Sequence, residues 1–446
     1  MRRGWLALAS GLLPLLSCTH DGGGPPVDSG VVVDGAPPVV CVDAGVDGTP
    51  RHRVGPYATY LGTLHDHIYA LRGGDDGGII AGNEPGVTGS AEWLAFRQQN
   101  PARYAGGDPR SAIQKAKASG LDFFALTPHN HLVDGEEFAD ITAAVTESRC
   151  GSFVVLLGQE YSTVASGNHM TVFQTDIRIG LDGGRFDLLY ANWLPSYESA
   201  HPEVAGNAGM RPFAAFAHPS FTASEYTLAD KARLEYGIDD FPTLAAWADA
   251  SNKYVRLVEV LSGSGGDTQN RPRVLELLNN GARVGMSVGE DNHDQQYGTR
   301  TDSRVGVLAT GQSISAIAEA LYQRRTFASE DKTLGLHVVA KLAGGDRYMG
   351  SDVTVAEAGA MLPLEIGLED AGEPGATYRI EVLRDDAVGG AQAAAVTVAA
   401  FASPVAAGTY QFQVATPPAG GYVMVHVTQL GSATDDVWVS PFFIRP

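Results

Sequence analysis

The chain has 446 residues, of which 44% are hydrophobic and 18% are charged. A chain of this length and composition can bury a substantial core and form two or three domains, which excludes a wholly disordered protein. The formal net charge of −20, without a cluster of Lys or Arg along the sequence, argues against nucleic acid or an anionic membrane surface as a partner.

The N-terminal residues predict an export signal. Arg2 and Arg3 precede an apolar run at residues 5–16, which is too short to span a bilayer as a mature helix. The run ends in LLSC, which resembles the bacterial lipobox, so residues 1–18 are predicted to be a lipoprotein signal peptide whose Cys18 is acylated. We expect a lipid-anchored protein of the bacterial cell envelope, facing the periplasm or the exterior, that meets the membrane only through this anchor. The alternative is an ordinary secretory signal with a chance cysteine.

Residues 19–53 predict a disordered tether. They are rich in Gly, Pro, Asp and Val, with neither a helical period nor sustained strand alternation. The repeated Asp-Gly pairs lack the Asp spacing and closing Glu of a calcium loop. Because export leads to an oxidising compartment, Cys41 in the tether could form a disulfide with Cys150. Two unpaired thiols are the alternative.

Residues 54–332 alternate short apolar runs with helical stretches, which predicts β/α units around a parallel sheet. The strand candidates are residues 59–63, 123–126, 153–157, 170–173, 213–217, 257–261 and 283–287. Helices are predicted after Asp108 and at residues 136–147, 243–250, 273–280 and 314–324.

Residues 333–446 have a different pattern of apolar and polar residues. Alternating segments such as TYRIEVLRD and YVMVHVTQL are separated by Gly, Pro and Asp turns, which predicts a small antiparallel β-sandwich. His337 and His426 fall inside these strand patterns, and we interpret them as packing or surface residues rather than ligands.

Residues with metal-ligand chemistry stand at the ends of the barrel strand candidates. Six candidates end in or run into such a residue or its neighbour, in LGTLHDH, FALTPHNH, LLGQE, AFAHPS, VEVLSG and MSVGEDNH. The carboxyl ends of parallel barrel strands converge on one face, so these residues are expected to share a site. Converging carboxylates and imidazoles would repel or stay unsatisfied without a cation between them.

Two pairs of residues have the i, i+2 spacing that points both side chains of an extended strand to one side. His65 and His67 form the first pair, with Asp66 facing away, and Asp291 and His293 form the second. Any one of these residues could equally be a polar residue whose hydrogen bonds are satisfied within the protein. Their joint position at strand ends favours a metal site. Mixed imidazole and carboxylate ligation suits Zn, Mn or Fe rather than Ca.

These segments resemble the motifs of the polymerase-and-histidinol-phosphatase (PHP) superfamily of metal-dependent hydrolases. LGTLHDH is similar to the opening motif D-L-H-x-H-T, and GLDFFALTPHNH to the second motif G-x-D-x-x-A-x-T-D-H-N. LLGQEYS and GNHMTVF resemble the glutamate and histidine motifs, FAAFAHPS the His-Pro motif, and MSVGEDNH the closing S-D-x-H. The matches span residues 61–293 in the family's order. The resemblance implies a distorted (β/α)7 barrel that holds two or three divalent metal ions.

Carried over residue by residue, the resemblance implies three sets of ligands. The first ion would be held by His65, His67, Glu160 and Asp291. Glu160 would bridge to a second ion held by His169 and His218. A third would take His129, His293 and an acid from the family's S-D-G position, which corresponds here to Asp75 or Asp76 a few residues too far along.

The sequence departs from the family pattern at two further places. Pro128 replaces the Asp that usually precedes the histidine of the second motif, which removes an acceptor for His129. The neighbouring His131 could substitute as a ligand, although a solvated loop histidine is the simpler reading. Glu290 replaces the usual Ser before the closing Asp, and its charge either tunes the site or faces outward.

The expected function is that of a metal-dependent hydrolase, most simply a phosphoesterase in which a metal-bridging hydroxide attacks phosphorus. Glu160 and Asp291 would act catalytically through the bound metals and water, and Glu259 at another strand end would support the ligands. A phosphoester substrate needs local positive charge, which the metals could supply. A carbamate or carboxylic ester is an alternative small-molecule substrate for the same site.

Two C-terminal segments resemble one branch of the superfamily. RRTFASEDKTLGLHV and YVMVHVTQLGSATDDVWVSPFFI are similar to the branch that includes carbaryl-type carbamate hydrolases, whose barrel precedes a small β domain.

Other classes of function are less consistent with the sequence. Residues 262–266 lack the G-x-S-x-G form of a serine hydrolase. The alternative from a different class is a non-catalytic, metal-containing binding lipoprotein, but a structural site would need only about four ligands.

Overall fold

The computed structural model describes residues 52–68, 109–130, 133, 135–148, 153–162, 169–180, 186–219, 236–238, 241–262, 267–293, 295–385, 396–431 and 434–446. All of them belong to a compact unit that extends from Pro38 to Pro446. Within this described part, no helix is long and apolar enough to cross a membrane. Several residues with predicted roles lie outside the described residues, namely Cys18, Cys41, Asp75, Asp76, His131 and Cys150.

Short apolar strands form a curled sheet in the first part of the fold. In chain order they are β1 (Arg53–Val54), β2 (Tyr57–Thr63), β3 (Phe123–Leu126), β4 (Val154–Ser162), β5 (His169–Phe173), β6 (Phe213–Ala217), β7 (Val255–Ser262), β8 (Gly285–Gly289), β9 (Arg304–Ala309) and β10 (Thr326–Ser329). The strands β3 and β6 are apolar throughout because both of their faces are buried. Alternate residues of β3 accordingly pack into two different core clusters.

One of the seven predicted strands runs against the predicted parallel direction, and β9 and β10, which were not predicted, are also antiparallel to their neighbours. The neighbours follow the order β10-β9-β2-β3-β4-β5-β6-β7-β8. β2, β3 and β4 are parallel, as are β6, β7 and β8, whereas β5 is antiparallel to both of its neighbours. The pattern of apolar residues does not depend on strand direction, so this reversal could not be predicted from the sequence. The reversal places the first residue of β5, His169, opposite Ser162 and Ala217 at the carboxyl ends of β4 and β6.

The curled sheet meets itself just beyond the carboxyl ends of β2 and β8. The backbone N–H of Asp291 donates to the carbonyl of His65 at 2.8 Å, and the N–H of His67 donates to the carbonyl of Asn292 at 3.1 Å. Asp66 and Asn292 form an isolated parallel bridge between the same two segments. Residues from the first and last motifs are therefore held together by main-chain hydrogen bonds.

Helices accompany the strands. They are α1 (Pro109–Ala118), α2 (Gly135–Ser148), α3 (Phe186–Leu188), α4 (Leu194–Ala200), α5 (Leu244–Tyr254), α6 (Asp267–Asn279), α7 (Ile314–Tyr322) and α8 (Val355–Ala358), with a π turn at Leu189–Trp193 between α3 and α4. The helices α5 and α7 begin after Thr243 and Ser313, whose hydroxyls accept hydrogen bonds from Ala246 and Ala316. Capping residues and apolar spacing thus explain why these segments are helical.

The C-terminal strands form two packed sheets. They are β11 (Leu334–Ala340), β12 (Arg347–Tyr348), β13 (Asp352–Thr354), β14 (Met361–Asp370), β15 (Thr377–Asp385), β16 (Val396–Ala400), β17 (Gly408–Ala415), β18 (Tyr422–Leu430), β19 (Thr434–Val439) and β20 (Phe442–Arg445). The separate sheet has the order β12-β11-β14-β17. One core cluster contains Leu336 and Val338 of this sheet together with Val425 and Val427 of the other.

The second C-terminal sheet continues into the curled sheet. Phe327 of β10 pairs with Gly306 of β9 on one side and with Val439 of β19 on the other. The hydroxyl of Ser440 accepts a hydrogen bond from the N–H of Met286 in β8 at 2.9 Å. The two parts of the fold are therefore joined by a shared strand ladder as well as by side-chain contacts.

The segment predicted as a tether ends in ordered structure. Arg53 belongs to β1, which pairs with the start of β2 across a turn at Gly55. Nε2 of His52 lies 2.6 Å from Nδ1 of the buried His337, and the two rings stack with centroids 4.8 Å apart. Nδ1 of His52 lies 3.0 Å from a carboxylate oxygen of Glu369. His337 thus packs in the interior, and neither it nor His426 belongs to any group of potential metal ligands in the described part of the chain.

The His337 imidazole should make stability fall in mild acid. Burial, together with the charges of His52 and Lys341, lowers the pKa of His337 to about 4. The unfolded chain therefore binds the additional proton as the pH falls below about 6.5, and stability is lost down to pH 4. Between pH 7.5 and pH 5, the free energy of unfolding measured with urea should fall by about 1–2 kcal/mol more for the native protein than for His337→Asn. Equal losses for the two proteins would contradict this prediction.

Candidate metal centre

The carboxyl edge of the curled sheet gathers all the predicted ligands that lie within the described residues. His65 and His67 follow β2, His129 follows β3, Glu160 lies near the end of β4, and His169 begins β5. His218 follows β6, while Asp291 and His293 follow β8. The structure brings these eight residues to one place, and the ninth, Asp75, is outside the described residues.

Glu160 lies at the centre of this cluster and is fully buried. Its Oε1 atom lies 2.6 Å from Nδ1 of His169, 3.0 Å from Nε2 of His218 and 3.3 Å from Nε2 of His65. Its Oε2 atom lies 2.8 Å from Nδ1 of His129 and 3.3 Å from Nε2 of His67. One carboxylate therefore has five imidazole nitrogens around it, and each of its oxygens faces a different subset.

Asp291 supplies the second carboxylate. Its Oδ1 atom lies 2.9 Å from Nε2 of His293, 3.3 Å from Nε2 of His67 and 3.7 Å from Nε2 of His65. Asp291 and His218 have backbone φ angles of +48° and +27°, in a region that residues other than glycine rarely adopt. Such local strain persists only where surrounding contacts hold it, and it concentrates at functional sites.

The donor geometry fits divalent cations. Nε2 of His65 and Nε2 of His67 lie only 3.1 Å apart, so the two lone pairs are directed at one region of space. Among the described residues, three groups have ligand atoms close enough to surround an ion, namely His65 with His67 and Glu160, His129 with Glu160 and His169, and His67 with His129 and His293. Imidazole nitrogens and carboxylate oxygens are both ligands of divalent metal ions.

Electrostatics in the site couple the histidines to the carboxylates. Burial by itself raises the pKa of Glu160, but the charges of His129 and His169 outweigh it and hold that pKa well below the usual range. Conversely, burial lowers the pKa of His65, but the charge of Glu160 and the neighbouring carboxylates raises it well above its usual value. Protons therefore compensate the carboxylates when no cation does, and binding of a metal ion would release them.

Glu259 holds two of the ligand residues in place. Its Oε1 atom lies 2.8 Å from Nδ1 of His65, and its Oε2 atom accepts a hydrogen bond from the backbone N–H of His218 at 2.8 Å. An Nδ1–H donor on His65 leaves the Nε2 lone pair directed at the site. Glu259 therefore orients one imidazole and stabilises the unusual backbone at another.

The structure resolves the position of Glu290, which the sequence had left open. Its side chain is fully buried, and it accepts a hydrogen bond from the N–H of Gly298 at 2.8 Å, with Arg304 3.6 Å away. The carboxylate of Asp66, also buried, accepts a hydrogen bond from Thr63, and burial followed by the charge of Glu290 raises its pKa well above the usual value. Glu290 therefore faces inward, where it fixes the loop that follows Asp291.

Two arginines beside the ligands were not identified from the sequence. Arg300 donates from Nη1 to the carbonyl of Asp291 at 2.7 Å. Arg178 donates from Nη1 to the carbonyl of Asn130, the residue after His129, at 2.9 Å. Neither arginine belongs to a recognised motif, and only the folded chain brings them to the ligand segments. Each guanidinium therefore lies against the main chain of a segment that carries a candidate ligand.

Comparison with solved structures gives remote similarities, one of them to a two-domain protein from Bacteroides vulgatus. That protein, described as containing a predicted PHP-like metal-dependent phosphoesterase, matches with 14% identity and a TM-score of 0.40 over 90% of this chain and 97% of that one. No family model and no curated protein matches the sequence. A similarity of this size does not establish a family, so the function is inferred from the geometry of the site.

Proposed function

We propose that this chain is a metal-dependent hydrolase of ester bonds and that its preferred substrates are small phosphoesters. The observation that supports this most strongly is the buried carboxylate of Glu160, which lies within 3.3 Å of ring nitrogens from five histidines. A structural metal site needs only about four ligands. The motif resemblance also supports the PHP superfamily as the family of this chain, and the C-terminal segments support its carbaryl-hydrolase-like branch.

The eight described ligands fit two or three divalent ions of Zn, Mn or Fe. When bound, such ions would polarise the ester and make a water molecule acidic enough to attack it at neutral pH. We assign the ions to His65, His67, Glu160 and Asp291 for the first, to Glu160, His169 and His218 for the second, and to His129 and His293 with an acid at position 75 or 76 for the third. The group formed by His129, Glu160 and His169 also supports a close approach of His129 to the position of the second ion.

The protein's own groups favour an anionic substrate. Arg300 and Arg178 are anchored through one guanidinium nitrogen each to the segments that carry Asp291 and His129. Arginine forms paired, charge-assisted hydrogen bonds with phosphate oxygens, whereas a neutral carbamate offers no comparable charge. The two cations therefore favour a phosphoester over a carbamate or carboxylic ester.

Metal counting and a substrate comparison test this proposal. Elemental analysis of the purified protein should find two or three transition-metal ions per chain. The protein should hydrolyse p-nitrophenyl phosphate faster than an aryl carbamate. We expect the remaining N–H groups of Arg300 to bind a phosphate oxygen of the substrate. Replacement of Arg300 by Met should then reduce kcat/KM for the phosphate ester by roughly tenfold or more and reduce carbamate turnover by a smaller factor, since the hydrogen bond to the Asp291 carbonyl is lost for both substrates.

The outcomes separate the alternatives. Faster hydrolysis of the carbamate, unaffected by Arg300→Met, would favour a carbamate or carboxylic ester hydrolase that uses the same site. One metal ion or none, with no turnover of either substrate, would contradict the enzyme and favour a binding protein. The corresponding substitution at the exposed Arg110, whose guanidinium pairs with Glu147, serves as a matched control and should leave both activities unchanged.

We further propose that the mature protein is anchored to the cell envelope through acylated Cys18. Replacement of Cys18 by Ala should block acylation and release the protein from the membrane fraction, because a peptide chain without its lipid lacks the buried CH₂ groups that hold an anchor. Fractionation of bacterial cells, with mass spectrometry of the N-terminal peptide, measures both effects. Equal membrane association of the native protein and the variant would contradict the anchor.

A further inference from the structure

A second site with unusual chemistry lies at the amino ends of β2 and β7, whereas the metal centre lies beyond their carboxyl ends. It is a cavity of about 430 Å³ between the curled sheet and the segment around β12. Four arginines line it, namely Arg256, Arg324, Arg325 and Arg347. In a chain with a formal net charge of −20, this concentration of positive charge calls for a partner.

Three of these arginines are buried, with exposed fractions of 9% for Arg256, 4% for Arg324 and 7% for Arg325. Arg325 forms an ion pair with Glu319, and Arg347 at the rim forms one with Glu357. These two guanidiniums are therefore compensated by the protein itself.

The other two buried charges, Arg256 and Arg324, are compensated poorly. Among the described residues, Arg256 has no carboxylate partner within ion-pair distance. Arg324 lies 3.8 Å from Asp352, which forms a closer pair with Arg283 at 3.1 Å. Asp346, the other acid of the lining, is held by Lys341 at 2.7 Å. Positive charge consequently exceeds negative charge at the floor of the cavity.

The same two guanidiniums retain hydrogen-bond donors that the described part of the protein does not use. Arg256 donates from Nε to the carbonyl of Tyr322 and from Nη1 to the carbonyl of Asn252, which leaves Nη2. Arg324 donates from Nε to the carbonyl of Gly350, which leaves both terminal nitrogens without a hydrogen bond. Donors of this kind beside a cavity are suited to accept an oxyanion in a forked arrangement.

Burial of these charges is costly in the absence of an anion. Burial lowers the pKa of Arg256 to about 10. Burial and the like charge of Arg256 together lower the pKa of Arg324 well below its usual range. A bound anion would replace lost hydration and reduce the repulsion between the two guanidiniums.

The size and the walls of the cavity narrow the class of ligand. A volume of about 430 Å³ falls in the range of small-molecule sites and exceeds what a bare tetrahedral oxyanion fills. The rings of Tyr57 and Tyr348 form an edge-to-face pair with centroids 4.7 Å apart, and both residues line the cavity. We propose that this cavity binds a dianionic phosphate group, free or as the monoester of a small molecule, on Arg256 and Arg324, and that it is separate from the metal centre.

Calorimetric titration of the full-length, metal-loaded protein tests this site. The probes are inorganic phosphate and benzylphosphonate, an ester mimic that the metal centre cannot hydrolyse. Arg324→Gln should weaken binding of the preferred probe at least about tenfold, and Arg347→Gln at the rim should weaken it by a smaller factor. Tighter binding of benzylphosphonate would identify a monoester as the ligand, and tighter binding of phosphate would identify the free ion.

Two control variants separate this site from the metal centre. Arg110→Gln, at an exposed ion pair outside the cavity lining, should leave binding unchanged. Glu160→Gln disables the metal centre and removes any binding of the probe there, but it should retain a binding event that the double variant with Arg324→Gln loses. Loss of all binding in Glu160→Gln, unchanged binding in both cavity variants, or the absence of saturable binding would overturn the proposal. If Arg324→Gln does not fold, as judged by circular dichroism, the half-exposed Arg347 decides the outcome, because its variant removes no buried hydrogen bond.

Discussion

Replacement of Glu160 by Gln should remove at least one metal ion per chain and reduce kcat/KM by roughly 10³-fold, equivalent to about 4 kcal/mol of transition-state stabilisation. Both oxygens of Glu160 contact imidazoles, with His169 at 2.6 Å from one and His129 at 2.8 Å from the other. An amide has the same shape but no negative charge and only one acceptor atom. It therefore cannot bridge two positions as the carboxylate does.

Elemental analysis and steady-state kinetics measure this effect together. The matched control is Glu203→Gln, the same chemical change at an exposed residue whose carboxylate pairs with His201. The control should retain the metal content and the activity of the native protein. A Glu160→Gln protein that keeps its full metal content and hydrolyses the substrate within threefold of the native rate would show that Glu160 is not a ligand.

The sequence allowed most of the candidate ligands to be located because they follow, or lie near the end of, a short apolar strand, whereas His169 begins its strand and was identified from its motif. The i, i+2 pairs are an example, since an extended chain necessarily points His65 and His67 to one side. In the structure their Nε2 atoms lie 3.1 Å apart. This part of the site depends on local geometry, which a sequence encodes directly.

Features that depend on contacts between distant segments could not be predicted. The reversed direction of β5 leaves no trace in the apolar pattern of HMTVF, yet it determines that His169 joins the site from the start of its strand. Arg300 and Arg178 are isolated residues in unremarkable loops, and only the fold places them beside Asp291 and Asn130. The ladder between β10 and β19 likewise pairs residues about 110 positions apart. The change in the pattern of apolar and polar residues near residue 332 therefore could not predict that these two strands pair.

Replacement of Glu259 by Gln should weaken metal binding by about 10–100-fold while leaving most of kcat at saturating metal. Glu259 uses both oxygens as acceptors, one from Nδ1–H of His65 and one from the backbone N–H of His218. Glutamine has a single acceptor oxygen, so its NH₂ group would have to face one of these donors. Activity measured against metal concentration should therefore shift to higher concentrations, which a merely destabilised fold would not produce.

A substitution that leaves Glu259 itself unchanged separates orientation from charge. A Cβ atom at Gly289 would lie 2.4 Å from Oε1 of Glu259, so Gly289→Ala should push the carboxylate away from His65 without altering the charge. We expect the same shift in metal dependence as for Glu259→Gln, with little change in kcat at saturating metal. The matched glycine is Gly311, where a Cβ would meet no atom within 4 Å, and Gly311→Ala should behave as the native protein. If Gly289→Ala binds metal as tightly as the native protein, the contact between Glu259 and His65 does not control the site, and the effect of Glu259→Gln would have to arise from its lost charge alone.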